Sequence, residues 1–226
     1  MKIALSKLID VIPQVDRYVK QRIGEFKRLG SEGKTHYDFR PFLDIDYEAG
    51  IFSELCFCVL TANSSASMGI KIQAELGDEG FMKLKYEELA RVIRSYGHRF
   101  PEQRAERIVM VRERWDSIKS LLKEEDKKEV RSLLADPKSE FKIKGFGYKE
   151  ASHFLRNIGV ENVAIIDRHV YRFLTENGLF PEVKTMTPKR YLEAEAVLEK
   201  LCGELGITQA ELDLYIFYIK TRKVLK

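Results

Sequence analysis

The chain has 226 residues, 44% of them hydrophobic and 33% charged, which is enough apolar material for one large core or two small ones. Its net charge of +4 and pI near 8.8 are compatible with a nucleic-acid partner without requiring one. No run of about 18 apolar residues occurs and the first ten residues lack a signal-peptide pattern, so a soluble, cytoplasmic protein without a membrane partner is expected.

Helical periodicity dominates. Leu5, Leu8, Ile9, Ile12, Val15 and Val19 recur at spacings of three and four and predict an amphipathic helix closing at Gly30, followed by a loop to Thr35. Residues 36–46 read as irregular, since Pro41 forbids a helix interior. A strongly apolar helix is expected over 49–59, at the centre of a core. The polar patch Thr61-Ala62-Asn63-Ser64-Ser65 separates it from a helix over 68–76, and residues 77–80 read as a turn. Another amphipathic helix spans 86–96 and ends at Gly97. Pro101 suits the first position of a long helix reaching residue 122.

Further helices are expected over 126–134, from Ala151 to a cap at Gly159, over 167–177, 188–205 and 209–221. Residues 162–166 are the most strand-like piece. The predicted fold class is all-α.

Cys56, Cys58 and Cys202 are odd in number and show no paired spacing, which argues against a disulfide framework. Cys56-x-Cys58 is too tight for a zinc knuckle. The three read as small buried apolar residues of a reducing compartment.

The most informative stretch is Ile143-Lys144-Gly145-Phe146-Gly147-Tyr148-Lys149-Glu150-Ala151. Two glycines around an apolar residue let the backbone turn sharply between helices and leave amides uncovered by side chains. Such amides at a helix N-terminus can seat a phosphate, and Phe146 would plug the turn onto the core. Gly-x-Gly between helices can also be no more than a tight turn. Lys149 falls in the first turn of the next helix, where the helix dipole and partial burial disfavour an ammonium; a lysine kept neutral is nucleophilic. Any single lysine can equally be a solvated surface charge. Asp167, 18 residues on, follows the apolar run Ala164-Ile165-Ile166 and opens a helix. It can be an N-cap, and the separation also allows the chain to fold back and face its carboxylate toward the amine.

Gly145-Phe146-Gly147-Tyr148-Lys149 followed by Ile166-Asp167-Arg168-His169 resembles the signature of the helix-hairpin-helix DNA glycosylase superfamily. More narrowly, the stretch from Gly147 to Asn157 is similar to the archaeal and bacterial type 2 8-oxoguanine DNA glycosylases. The blocks 54–63, 97–106, 214–218 and 223–226 agree with that family, so the resemblance covers nearly the whole chain.

The resemblance implies two helical subdomains with the active site in the cleft between them: 1–46 plus 167–226, and 47–166 with the helix-hairpin-helix at 138–158. It implies a monomeric bifunctional enzyme, without metal or cofactor, acting on double-stranded DNA that carries 8-oxoguanine or abasic sites. Lys149 would be the nucleophile and Asp167 the stabilising anion. Gly145, Gly147 and Arg168 would touch the DNA backbone. Asn63 would fill the gap left by the flipped base, or merely cap a loop. Phe100 and Phe217 would stack on that base, or pack in a core. Position 217 is often Trp in the family, and Ser64 stands where some relatives carry Trp. His98, His153 and His169 read as structural or phosphate-facing. Lys226 would reach the base pocket and, as a free C-terminus, offer its carboxylate to guanine-type donors; the alternative is a frayed tail.

Two rival readings share these residues. An endonuclease III-like enzyme for oxidised pyrimidines usually carries four cysteines for an iron–sulfur cluster near its C-terminus, where this chain has only Cys202. A non-catalytic helix-hairpin-helix DNA-binding module would have no use for Lys149 and Asp167 at this spacing.

Overall fold

The computed structural model describes residues 1–226. Eleven helices and one two-stranded sheet pack around a single contiguous core of buried apolar side chains, so the all-α expectation holds apart from one hairpin.

Helix α1 (Lys2–Glu32) buries Leu8, Val11, Val15 and Val19 along one stripe. It does not stop at Gly30. It ends at Gly33, whose left-handed φ of 79° lets its amide return to the Leu29 carbonyl at 3.0 Å. Gly30 serves packing instead: a Cβ there would lie 2.0 Å from the Ile158 carbonyl oxygen.

Strands β1 (Lys34–Asp38) and β2 (Asp46–Gly50) then form an antiparallel hairpin, with Lys34 opposite Gly50 and Asp38 opposite Asp46. This corrects the irregular reading of 36–46. Thr35, Tyr37, Tyr47 and Ala49 alternate inward, a period-2 pattern too short to stand out beside helical ones.

Helix α2 (Ile51–Thr61) is buried along nearly its whole length and packs on α3 (Ala66–Lys83), which kinks at Gly77 rather than ending there. Helix α4 (Tyr86–Ser95) precedes α5 (Pro101–Arg112) and α6 (Trp115–Leu121). These last two replace the single helix expected over 101–122. The break at 113–114 turns Trp115 edge-on to Phe52, 5.1 Å between ring centres.

Helices α7 (Lys127–Ala135) and α8 (Tyr148–Asn157), joined by 136–147, are the predicted helix-hairpin-helix. Phe146 is buried as expected. Helix α8 also touches α1 and α2, which places it at the centre of the molecule. Helices α9 (Arg168–Glu176), α10 (Pro188–Leu205) and α11 (Gln209–Thr221) complete the chain, with α9 and α10 against α11 and α11 against α1.

The strand-like piece 162–166 pairs with no strand. Its backbone is satisfied by α10 side chains: the Ala164 amide donates to Glu195 Oε1 (2.8 Å), the Ile166 amide to Tyr191 Oη (3.1 Å), and Tyr191 Oη donates to the Ala164 carbonyl (2.7 Å). Glu195 is also paired with Arg131 of α7 at 2.5 Å, both side chains buried. This network holds the segment leading to Asp167 in place beside the hairpin.

Candidate active site

Lys149 is the second residue of α8, and its side chain keeps a quarter of its surface exposed. The hairpin before it turns at Gly145, where φ is 91°; a Cβ there would also lie 2.3 Å from the Arg107 guanidinium. The Gly147 amide is not free, since it donates to Glu150 Oε2 at 3.2 Å. The amides of Gly145, Tyr148 and Lys149 have no protein acceptor and point from a turn and a helix N-terminus.

Asp167 is the N-cap of α9: its Oδ1 accepts from the amides of His169 (2.8 Å) and Val170 (2.9 Å). The capping role and a role in the site are compatible, because Oδ2 is not engaged in the cap. Asp167 and Lys149 line one cavity of about 330 Å3. Arg168, Phe217 and Lys226 line it as well, and so do Ser64 and Ser65 beside Asn63.

Asn63 itself has a left-handed φ of 60° in the loop after α2. That loop is fixed from behind by His98, whose Nε2 is 2.9 Å from the Leu60 carbonyl, and by Arg104, which donates to the Ala62 carbonyl. Phe100 lies outside the cavity lining; it is exposed, with the guanidinium groups of Arg99 and Arg104 at 5.4 and 5.9 Å from its ring centre. Gly145 and Gly147 are outside the lining too. Phe217 presents its ring edge-on to His169 at 5.4 Å.

Two charged lining residues, Asp213 and Arg156, escaped the sequence reading, and a third lining residue, His153, was read there as structural or phosphate-facing. Asp213 lies four residues before Phe217, hence on the same face of α11. Its Oδ2 is 3.4 Å from Arg156 Nη2, which comes from α8. Burial raises the Asp213 carboxyl to about 7; Arg156 and Lys149 oppose the rise and Asp167 adds to it. Arg156 is buried, with its guanidinium over Phe26. His153 stands edge-on to Phe57 at 5.5 Å, and burial first, then the charge of Lys149, pushes its imidazole well below the ordinary range, so the ring is neutral.

The end of the chain is ordered. Val224, Leu225 and Lys226 are buried, and the Lys226 ammonium contacts Glu54 and Gln73. All three cysteines are buried and unpaired, and burial raises their thiols. No helix is long and apolar enough to cross a membrane.

Comparison with known proteins gives a consistent result. Residues 32–207 match the 8-oxoguanine DNA glycosylase family model. The chain is 65% identical, over 99% of both proteins, to the 8-oxoguanine DNA glycosylase/AP lyase of Aquifex aeolicus. The crystal structure of the 8-oxoguanine DNA glycosylase of Thermotoga maritima superposes with a TM-score of 0.85 at 42% identity over the full length of both chains. That of the Methanocaldococcus jannaschii glycosylase/lyase, in complex with a 15mer DNA containing 8-oxoguanine, does so with a TM-score of 0.83 at 40% identity, again over both full lengths. The chain belongs to the 8-oxoguanine DNA glycosylase family.

Proposed function

We propose that this protein is a bifunctional DNA glycosylase/AP lyase that removes 8-oxoguanine from double-stranded DNA of the cytoplasmic nucleoid. The observation that carries the reading is the meeting of Lys149 and Asp167 in one cavity. A base cannot be excised inside the stack, so it must be flipped into a pocket. A cavity of about 330 Å3 between helices, with one aromatic wall and a few charged groups, suits a single base.

The cleft divides two subdomains, 1–46 with 167–226 and 47–166. The free amides of the hairpin and Arg168 grip phosphates, and Asn63 enters the gap in the duplex. Phe217 stacks on the extruded base and Lys226 closes the pocket beside it. Phe100, exposed beyond the cavity wall, meets the base only once DNA is bound.

Once deprotonated, the Lys149 amine attacks the sugar C1′ as the glycosidic bond breaks, and the base leaves with the bonding pair and takes up a proton. Asp167, anionic and fixed by the α9 cap, stabilises positive charge developing on the sugar. The C1′ adduct opens to a protonated Schiff base. Loss of a C2′ proton then expels the 3′ phosphate by β-elimination, and water releases Lys149. Asp213, a carboxyl poised near neutrality in the same cavity, takes the proton that Lys149 must lose before attack.

The test is a duplex with one 8-oxoguanine. Cleavage of that strand and not of an undamaged one is expected. Preference for an oxidised pyrimidine, or binding without cleavage, would favour the rival readings.

A further inference from the structure

The Lys226 side chain does not face the base cavity. It runs the other way, into the protein, and ends in a closed socket. Its ammonium donates to Glu54 Oε2 at 2.6 Å and Gln73 Oε1 at 2.5 Å, and the Lys226 and Glu54 side chains are fully buried. The rings of Tyr37 and Phe57 stand 4.1 and 4.2 Å from the nitrogen, and that of Tyr47 at 5.7 Å.

The acceptors are themselves fixed. Asn157 of α8 donates to Glu54 Oε1 at 2.5 Å, Gln73 donates to Glu54 Oε2 at 3.1 Å and to Ser53 Oγ at 3.2 Å, and Tyr47 donates to Gln73 Oε1 at 2.8 Å. The socket therefore draws on β1, β2, α2, α3 and α8.

Such an arrangement is a poor device for stability. Burial pushes the Lys226 ammonium down to about 8 even though Glu54 pulls it back up. A buried ion pair often does no better than apolar side chains of the same volume. What it does provide is a place. An end-of-chain segment ordinarily frays. Here Arg222 turns the chain out of α11 through a left-handed φ of 59°, and Lys223, Leu225 and Lys226 return to form one wall of the cavity that Lys149 and Asp167 share. The ammonium is the far end of that wall's only charged anchor in the interior.

We propose that Glu54 and Gln73 are positioning residues for base selection: by seating the Lys226 ammonium they hold the terminal segment as the wall against which the extruded base is read. The inference rests on the functional reading above. It separates two reactions of one site. Excision of 8-oxoguanine needs the wall, because the base must be held while its bond breaks. Nicking at a preformed abasic site has no base to hold and needs only Lys149 and the grip on the backbone.

The experiment compares wild type, Glu54→Gln and Gln73→Leu on two duplexes, one with 8-oxoguanine and one with an abasic site, under single-turnover conditions and with DNA affinity and melting temperature measured alongside. Glu54→Gln keeps the shape but removes the counter-ion. Displacing the wall by an ångström should slow 8-oxoguanine excision roughly tenfold to a hundredfold. Abasic nicking and DNA affinity should stay near wild type. If Glu54→Gln fails to fold, Gln73→Leu carries the test, with a smaller loss of the same selectivity expected. Equal loss on both duplexes by a folded variant, or no loss on either, overturns the inference while leaving the functional reading intact. Wild-type protein that nicks abasic DNA but leaves 8-oxoguanine in place overturns the functional reading, and this inference with it.

Discussion

Asp167 and Lys149 look into one cavity from the N-terminal ends of two different helices, α9 and α8. The hairpin fixes the lysine. The buried pairing of Arg131 with Glu195, and the bonds that Glu195 and Tyr191 make to residues 164–166, fix the chain that delivers the aspartate. Neither residue depends on a flexible loop for its place.

Asp167 is an observed helix cap and a proposed catalytic anion, and one variant separates the two. Asparagine caps helices as well as aspartate, so Asp167→Asn should change stability by no more than about 1 kcal/mol. The anion is lost, and 8-oxoguanine release should slow by two or more orders of magnitude, roughly the scale of losing one electrostatic stabiliser. Thermal melting and single-turnover excision measure the two quantities. Wild-type excision by this variant would leave Asp167 as a cap only.

Asp213 gives the pH dependence. Its carboxyl is raised to about 7, so it is neutral below that pH and anionic above it. As the proposed acceptor of the Lys149 proton it would act in the anionic form. The single-turnover rate should therefore rise with pH through about 7 and level off above. Asp213→Asn should lower the rate and remove that rise. A profile with the same inflection in the variant would assign the titration elsewhere.

Two glycines of α1 should respond with opposite signs. Nothing lies within 4 Å of a Cβ built on Gly24, so Gly24→Ala should gain about 0.5–1 kcal/mol of helix stability. A Cβ on Gly30 meets the Ile158 carbonyl at 2.0 Å, so Gly30→Ala should instead cost about 1–3 kcal/mol. Denaturant melts of both variants decide whether α1 approaches the end of α8 as closely as the structure has it.

In the proposed function the free hairpin amides and the basic side chains bind phosphate, not sequence. The logarithm of DNA affinity should fall linearly with the logarithm of salt, with a slope near −0.9 per phosphate contacted. A flat profile in a binding titration would contradict a backbone grip.

Much of this was legible in the sequence because helical periodicity and capping chemistry act locally. Helices α10 and α11 fall where Pro188, Leu205, Gln209 and Thr221 place them, and the Gly145–Lys149 turn is where its glycines require it. What was not legible depends on contacts between distant segments. Gly30 reads as a helix breaker until Ile158 is seen against it. The hairpin 34–50 is two five-residue strands whose inward tyrosines gain their meaning from Lys226. Residues 162–166 carry a strand-like pattern but find side chains of α10 instead of a partner strand. Glu54 is the one acid of the apolar helix α2, and Asp213 shares α11 with Glu211. Only the fold shows that Glu54 meets the Lys226 ammonium and that Asp213 faces the cavity of Lys149.

The central claim is that Lys149 becomes covalently joined to the sugar, and borohydride trapping measures it directly. With a duplex containing 8-oxoguanine, reduction should freeze the Schiff base as a covalent protein–DNA product, and peptide mapping should place the link on Lys149. Lys149→Gln should bind the same duplex and yield neither trapped product nor cleaved strand. A trapped product of undiminished yield from Lys149→Gln, or a link mapped to another lysine, would contradict the account.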